Sequence, residues 1–159
     1  AVLCNAETRE VISSIDLIIK PEGWEIPQEV VDIHGITTEY AMQVGVPETL
    51  AVEMLLKLCG QAERIAFNRT FDQRIIRIAL KRYGFGEDVI EAWAEKENHH
   101  CSMMIAKKVM NNGKTPTLAE AYKFFTGKEL EGAHSAMADA MASMAVYHEA
   151  IDFQNRALA

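Results

Sequence analysis

The chain has 159 residues, of which 49% are hydrophobic and 25% charged, and its formal net charge at pH 7 is -7. This length and apolar content predict one globular domain with its own core and exclude a largely disordered chain. The acidic balance disfavours a protein that coats long nucleic acid, because such proteins are usually basic. An enzyme that acts only at a strand end can be acidic, since bound divalent cations supply positive charge locally.

The cysteines and the hydropathy pattern predict a cytoplasmic protein. Cys4, Cys59 and Cys101 are widely spaced and include no CxxC pair, which argues against a structural zinc site and favours reduced thiols. No apolar run is long enough to span a membrane, and the first residues lack the basic-then-apolar order of a signal peptide. We therefore expect no membrane association.

The first sixty residues predict a β-hairpin followed by helices. Apolar, β-branched stretches at 1–4 and 11–19 flank a polar, turn-prone segment, and Pro21 ends the second stretch. The helices that follow are predicted from turn residues and apolar spacing over three ranges: 28–33, 38–43 and 47–58.

The rest of the chain predicts one buried strand and further helices. The strand is a short apolar run at 64–67, and a helix is predicted over 70–83. Phe71, Ile75, Ile78 and Ala79 recur at helical spacing and form the predicted apolar stripe of this helix. Later helices are predicted over 102–110, 118–125 (after a capping box of Thr117 and Glu120) and 135–152. This order predicts an α/β domain over residues 1–153, with 154–159 as a tail.

Asp72 is the first residue that could carry chemistry. It falls in the first turn of the helix that leaves the predicted strand at 64–67. A carboxylate at that place often does no more than interact with the helix dipole. Open α/β sheets, however, bind ligands at the carboxyl ends of their strands, which is where Asp72 falls.

His134 and Asp139 form a second candidate pair, inside a run of small residues. A step of five residues places them roughly 140° apart on an ideal helix, so they converge only if His134 lies in the loop before the helix. Such a pair is more often structural than catalytic when it stands alone. The adjacent His99, His100 and Cys101 also suggest a metal, but no second Cys/His pair lies nearby, which disfavours that interpretation.

The combined pattern resembles the DEDDh family of 3′–5′ exonucleases. Its two elements are Asn68-x-x-Phe71-Asp72 after a strand and His134-x-x-x-x-Asp139 at the entrance to the last helix. The segment from His34 through Ile36 is similar to one that lies beside the terminal nucleotide in that family. The resemblance runs over about residues 2–151 and implies a ribonuclease H-like fold, a mixed sheet flanked by helices.

The resemblance also implies a reaction and its residues. The reaction is hydrolysis of phosphodiester bonds at nucleic-acid 3′ ends, which releases nucleoside monophosphates. Asp72 and Asp139 would be ligands in a two-metal site for Mg²⁺ or Mn²⁺, which prefer oxygen donors, and His134 would be the general base. Substrate contacts would come from four residues: Asn68, Phe71, His34 and Ile36. DNA is favoured over RNA, although no residue identifies the contacts to the sugar 2′ position that would decide it.

One part of the family pattern is missing. The family places an Asp-x-Glu pair on a first, central strand, and no such pair is present here; Glu7 lies too close to Pro21 to replace it. A sheet without its central strand has two edges with unpaired backbone groups. We therefore expect that the protein extends before Ala1 or that another segment completes the sheet, and that the 159 residues alone lack exonuclease activity.

Two alternatives remain. The first is a catalytically inactive exonuclease-like domain that binds nucleic acid or a protein partner, because a degenerate relative would also lack the first motif. The second is a phosphatase or other hydrolase that uses Asp72, which is disfavoured because the sequence contains no nucleophile elbow or phosphate-binding loop. The oligomeric state is not readable from the sequence.

Overall fold

The computed structural model describes residues 1–158, which form four short strands and eight helices. The strands are β1 (Val2–Cys4), β2 (Val11–Ser14), β3 (Arg64–Ala66) and β4 (His99–Cys101). The helices are α1 (Gln28–His34), α2 (Thr38–Val44), α3 (Glu48–Cys59), α4 (Arg69–Arg82), α5 (Glu87–Ala94), α6 (Ser102–Met110), α7 (Leu118–Thr126) and α8 (Ala136–Leu158). None of the helices in this part of the chain is both long and apolar enough to cross a membrane.

The strands form two separate pairs, and the domain is α/β as the sequence predicts. β1 and β2 are antiparallel, with Leu3 opposite Ser13, while β3 and β4 are parallel, with Ile65 opposite His100. A parallel pair needs a crossover connection, which α4 and α5 provide. Within residues 1–158 no strand joins the two pairs into one sheet.

The β1–β2 hairpin is attached to the last helix. The side-chain amide oxygen of Asn5 accepts hydrogen bonds within the turn, and Arg9 adopts a left-handed backbone with φ 64°. The guanidinium of Arg9 reaches the carboxylates of Glu149 at 3.5 Å and Asp152 at 2.6 Å on α8. Because α8 also contacts β3, this helix spans both strand pairs and sets their relative position.

The apolar core lies in two clusters. The first joins α3, α4 and α5 through Val52, Leu80 and Trp93. The second joins α6, α7 and α8 through three fully buried residues, Ala106, Ala121 and Val146. β3 contacts helices of both groups, namely α4, α6 and α8, so the β3–β4 pair is the layer that the two clusters share.

Most predicted helices are present within one or two residues, and three features differ. α8 continues to Leu158, well past its predicted end at 152, so residues 154–158 are helical rather than a separate tail. The second strand of the hairpin ends at Ser14 rather than at 19, and only an isolated bridge between Ile19 and Val46 continues it. The sequence pattern predicts neither α5 nor β4. β4 is a polar strand of only three residues.

The apolar stripe predicted for α4 is mostly exposed. Phe71, Ile75 and Ile78 are 54%, 42% and 45% exposed, whereas Ala79, its fourth member, is buried. The buried face combines Ala79 with a second stripe at helical spacing, formed by Ile76, Leu80 and Tyr83. Two apolar stripes on one helix cannot be ranked from spacing alone; packing of the second stripe against Trp93 and Val52 decides between them.

The orientation of α4 predicts unequal effects of truncation on its two faces. Leu80→Ala should lower the free energy of unfolding by about 2–5 kcal/mol, because it leaves a cavity in the first core cluster. Ile78→Ala, on the exposed face of the same helix, should change it by less than about 1 kcal/mol. Urea denaturation of both variants measures the difference, and equal losses would contradict the assigned face.

Candidate functional site

A groove of about 840 Å³ is bordered by both β1 and β3. Apolar side chains from α3 and α8, among them Leu55, Leu58 and Met144, line much of it. Its polar lining includes five residues that come from two distant stretches of sequence: Asn68, Arg69, Asp72, His134 and Asp139. The fold therefore brings both candidate motifs to one groove.

Asp72 is positioned by the exit of β3. The strand ends at Ala66, and the carbonyl of Phe67 then accepts hydrogen bonds from the Cys101 thiol at 3.3 Å and from the Met103 backbone N–H at 3.1 Å. These bonds fix the chain just before α4 begins. Asp72 then falls in the first turn of α4, at the carboxyl end of β3, as the sequence predicts.

The surroundings of Asp72 disfavour its charged form relative to a carboxyl group in water. Its side chain is open to the groove, yet the surrounding protein displaces part of its water. This desolvation raises the pKa of the Asp72 carboxyl above its usual value, and the hydrogen bond from its own backbone N–H opposes the rise only in part. A nearby positive charge would favour the carboxylate form.

His134 lies in the loop before α8, which is the position that convergence with Asp139 requires. Its backbone is left-handed, with φ 74°, an uncommon conformation for a residue other than glycine. The Ser135 backbone N–H donates to the Gly132 carbonyl at 3.1 Å and closes this turn. Asp139 follows in the first turn of α8, half-buried, while the His134 side chain is exposed.

The structure does not bring the other predicted substrate residues into the groove, apart from Asn68. Phe71 lies on the exposed face of α4 and is not among the lining residues. His34 ends α1, and its Nδ1 accepts a hydrogen bond from the Ile36 backbone N–H at 3.0 Å. His34 and Ile36 also lie outside the groove lining, so they are apart from the residues that line the groove.

The metal-ligand set is suitable in kind but incomplete. Asp72 and Asp139 carry the hard oxygen donors that Mg²⁺ and Mn²⁺ prefer. Among residues 1–158, however, no three His, Cys, Asp or Glu side chains lie close enough together to hold a metal ion. The residues present therefore do not by themselves make a metal site.

The three residues of β4, which the sequence suggested as a possible metal site, each contact a different partner. The His99 Nε2–H donates to the Trp93 carbonyl at 2.8 Å, and His99 is buried. The His100 Nε2 lies 2.9 Å from a carboxylate oxygen of Glu63. Together with the bond from Cys101 to Phe67, these contacts direct the three side chains to three different partners.

Arg69 is a residue to which the sequence interpretation gave no role. It lines the groove between Asn68 and Asp72, and its guanidinium donates to the His99 carbonyl at 3.1 Å. Its Nε is buried and has no hydrogen-bond partner within the described residues. The only feature of the sequence that points to Arg69 is its place inside the motif, between Asn68 and Asp72.

The sequence was also compared with known proteins. Residues 1–147 match a family model whose description is Exonuclease, and this match covers more than nine-tenths of the chain. No curated protein matches the chain.

Burial of His99 predicts a pH dependence of stability. Desolvation, the largest effect, lowers the His99 pKa, and nearby Arg64 and Arg69 act in the same direction, although the bond to the Trp93 carbonyl opposes them. The unfolded chain therefore binds a proton below about pH 6.5 while the folded chain does not, so stability should fall as pH drops from about 6.5 through the lowered pKa.

Urea denaturation between pH 7.5 and pH 5 measures this decline. His99→Gln should reduce it, because the variant removes the buried imidazole. An unaltered decline in His99→Gln would show that another group is responsible.

Proposed function

The chain belongs to the exonuclease family, and from this premise we propose that it acts as a metal-dependent 3′–5′ exonuclease. Family membership supports a nuclease hydrolase and implies a nucleic-acid substrate, and the mixed α/β fold is consistent with a ribonuclease H-like exonuclease. The proposed product is a nucleoside monophosphate released from a 3′ end. One observation supports the proposal above others: Asp72, His134 and Asp139 line the same groove.

His134 is the proposed general base. It is exposed at the groove, in a loop whose left-handed backbone is the kind of strained conformation that is concentrated at active sites. A histidine exchanges a proton readily near neutral pH. In the proposed reaction the imidazole takes a proton from the attacking water, the new P–O bond forms, and the bond to the 3′ oxygen of the preceding nucleotide breaks in line.

Asp72 and Asp139 are the proposed ligands of Mg²⁺ or Mn²⁺. Such ions, when bound, supply the positive charge that stabilises the developing charge on the phosphate oxygens. Two carboxylates are too few for a two-metal site, so we propose that further acidic ligands complete it. The raised pKa of Asp72 is consistent with this proposal, because a bound cation would favour the carboxylate form.

The proposed substrate contacts divide into two groups. Asn68 lines the groove, which supports the proposed contact with the terminal nucleotide. Phe71, His34 and Ile36 lie outside the groove lining, so the groove supports a contact with the terminal nucleotide for Asn68 and not for these three residues. We propose that Arg69, which lines the groove, contributes positive charge toward the phosphates. We also favour DNA over RNA as the substrate and the cytoplasm as the location of the protein.

A second candidate function is an inactive exonuclease-like domain that binds nucleic acid or a protein. The incomplete ligand set favours it, because a domain without a metal site could retain the groove and its binding surface. The two functions differ in whether the natural protein that contains these residues degrades a 3′ end.

The incomplete ligand set predicts that the 159 residues alone are inactive. A 5′-labelled single-stranded oligonucleotide incubated with this chain and Mg²⁺ or Mn²⁺ should keep its full length on a denaturing gel. Stepwise shortening from the 3′ end that Asp72→Ala abolishes would contradict this prediction, because it would show a complete site.

The role of His134 predicts a loss of turnover without a loss of binding. In the natural protein that contains these residues, His134→Ala should lower kcat by about 10²–10⁴-fold and leave the Kd for a labelled oligonucleotide nearly unchanged. His148→Ala, a histidine of α8 outside the groove lining, is the control and should retain activity.

Asp139→Asn in the same protein should lower activity and its dependence on metal concentration together.

A small effect of His134→Ala on kcat would exclude the general-base role. Tight oligonucleotide binding with no degradation by the unmodified protein would instead establish the inactive domain.

A further inference from the structure

Positive charge is concentrated on α4, in a chain that is acidic as a whole. Of the 16 lysines and arginines in the sequence, Arg69, Arg74, Arg77, Lys81 and Arg82 lie on this helix of 14 residues. Arg69 lines the groove, and Arg82 pairs with a carboxylate of α3 at 3.0 Å. Arg74, Arg77 and Lys81 are exposed and form no ion pair within residues 1–158.

These three cations lie beside Ile75 and Ile78, and we call the five residues the basic patch. Both isoleucines are exposed. Arg74 and Arg77 are three residues apart, and Arg77 and Lys81 are four apart, so like charges are neighbours on the helix surface and repel one another. The basic patch therefore combines apolar area with positive charge that an acidic surface would neutralise.

The basic patch and the groove lie on opposite sides of α4. The residues of this helix that line the groove are Arg69, Asp72, Gln73 and Ile76. At 100° per residue, the centre of this set is roughly 160° from the centre of the basic patch. A nucleic-acid strand in the groove would therefore not lie along the basic patch, which favours a different occupant.

The complementary charge lies in the same chain, over residues 21–56. This stretch contains seven acidic residues and no lysine or arginine. Two of its large apolar side chains, Trp24 and Ile33, are exposed beside three exposed carboxylates, those of Glu25, Glu29 and Asp32. We call these five residues the acidic patch. None of its carboxylates forms an ion pair in the part of the chain that the structure describes.

Contacts at the end of α4 place the two patches near each other on one copy. The Tyr83 hydroxyl lies 3.1 Å from a carboxylate oxygen of Glu22 and 2.8 Å from one of Glu48. Glu22, two residues before Trp24, is thereby held beside the C-terminal end of α4. A two-fold axis close to this point would bring the basic patch of each copy onto the acidic patch of the other, as an isologous interface requires.

We propose that a second copy of this chain covers both patches, in a two-fold symmetric dimer. Arg74 and Arg77 of each copy pair with Glu29 and Asp32 of the other, and the apolar side chains of the two patches pack together around Trp24. Aromatic residues of this kind are the usual anchors of interfaces. A second copy is favoured over another acidic protein because the chain carries both complementary patches, so each contact occurs twice. The proposal does not rest on nuclease activity.

The first test is the mass of the natural protein that contains these residues. Sedimentation velocity at micromolar concentration should give two copies in about 0.05 M NaCl. The Kd of the dimer should rise by about tenfold or more in about 0.5 M NaCl, because salt screens exposed charge pairs. A monomer at every concentration in low salt would overturn the proposal, and so would assemblies that keep growing, since a two-fold interface closes.

Charge reversal tests which surfaces meet. A basic-patch variant, Arg74→Glu with Arg77→Glu, should raise the Kd of the dimer by about 100-fold or more, because like charges then meet at both contacts. An acidic-patch variant, Glu29→Lys with Asp32→Lys, should do the same. An equimolar mixture of the two variants should form dimers again, since one contact is then unmodified and the other has its charges exchanged. A mixture that stays monomeric would contradict the pairing.

Lys96→Glu with Lys108→Glu is the matched control for net charge. Both lysines are exposed and lie outside the two patches. This variant changes the net charge by the same amount as the basic-patch variant and should dimerise as the unmodified protein does. Equal weakening by the control would show that net charge, and not the basic patch, governs association.

Trp24 gives a readout that needs no change in either set of charges. Trp24 is 56% exposed in one copy, whereas Trp93 is 5% exposed. Acrylamide should therefore quench the fluorescence of the unmodified protein more strongly as dilution converts dimers to monomers, and Trp24→Phe should remove this dependence on concentration. Quenching that stays constant while the mass falls from two copies to one would place the interface elsewhere and overturn the proposal.

Nucleic acid is the competing occupant of the basic patch. Loss of the dimer in Arg74→Glu with Arg77→Glu, with the Kd for oligothymidylate nearly unchanged, is the expected result. A monomeric unmodified protein whose oligothymidylate binding is weakened by about tenfold or more in this variant would assign the basic patch to nucleic acid and refute the dimer.

Discussion

The position of α8 across both strand pairs is the contact on which the rest of the structure depends. β1 and β3 belong to different pairs, and α8 contacts both. Its buried face has small residues one turn apart, Ala142, Val146 and Ala150, which allow the helix to lie close to its neighbours. Because the entrance to α8 also carries Asp139, the contact that orders the fold also orders the candidate site.

Two kinds of polar contact hold α8, and they differ in what they contribute. The ion pairs of Arg9 with Glu149 and Asp152 are more than a third exposed, and exposed pairs of this type contribute little to stability. Their effect is chiefly to fix where the hairpin lies. The hydrogen bond between Ser102 and Ser143 is 3.0 Å long and buried between α6 and α8. Loss of Ser102 leaves the buried Ser143 hydroxyl without this partner, which is costly, whereas Ser102 has a second acceptor in the Ala66 carbonyl at 3.5 Å.

The sequence predicted those features whose cause is local. The capping box of Thr117 and Glu120 is formed, and the hairpin and Asp72 at the exit of β3 are where the pattern indicated. The buried face of α4 depends on packing against Trp93, which no spacing rule contains. For the same reason Arg69 was overlooked, since its importance arises from the groove and not from its neighbours in sequence.

The separation of the site residues along the chain has a consequence for folding. Asp72 belongs to the segment β3–α4, which can form through contacts between neighbouring elements, whereas His134 and Asp139 arrive only when α8 docks. That docking closes a long loop and is entropically the more demanding step. Release of α8 alone would therefore disperse the site while the first core cluster stays folded, so the candidate site can be no more stable than the docking of α8.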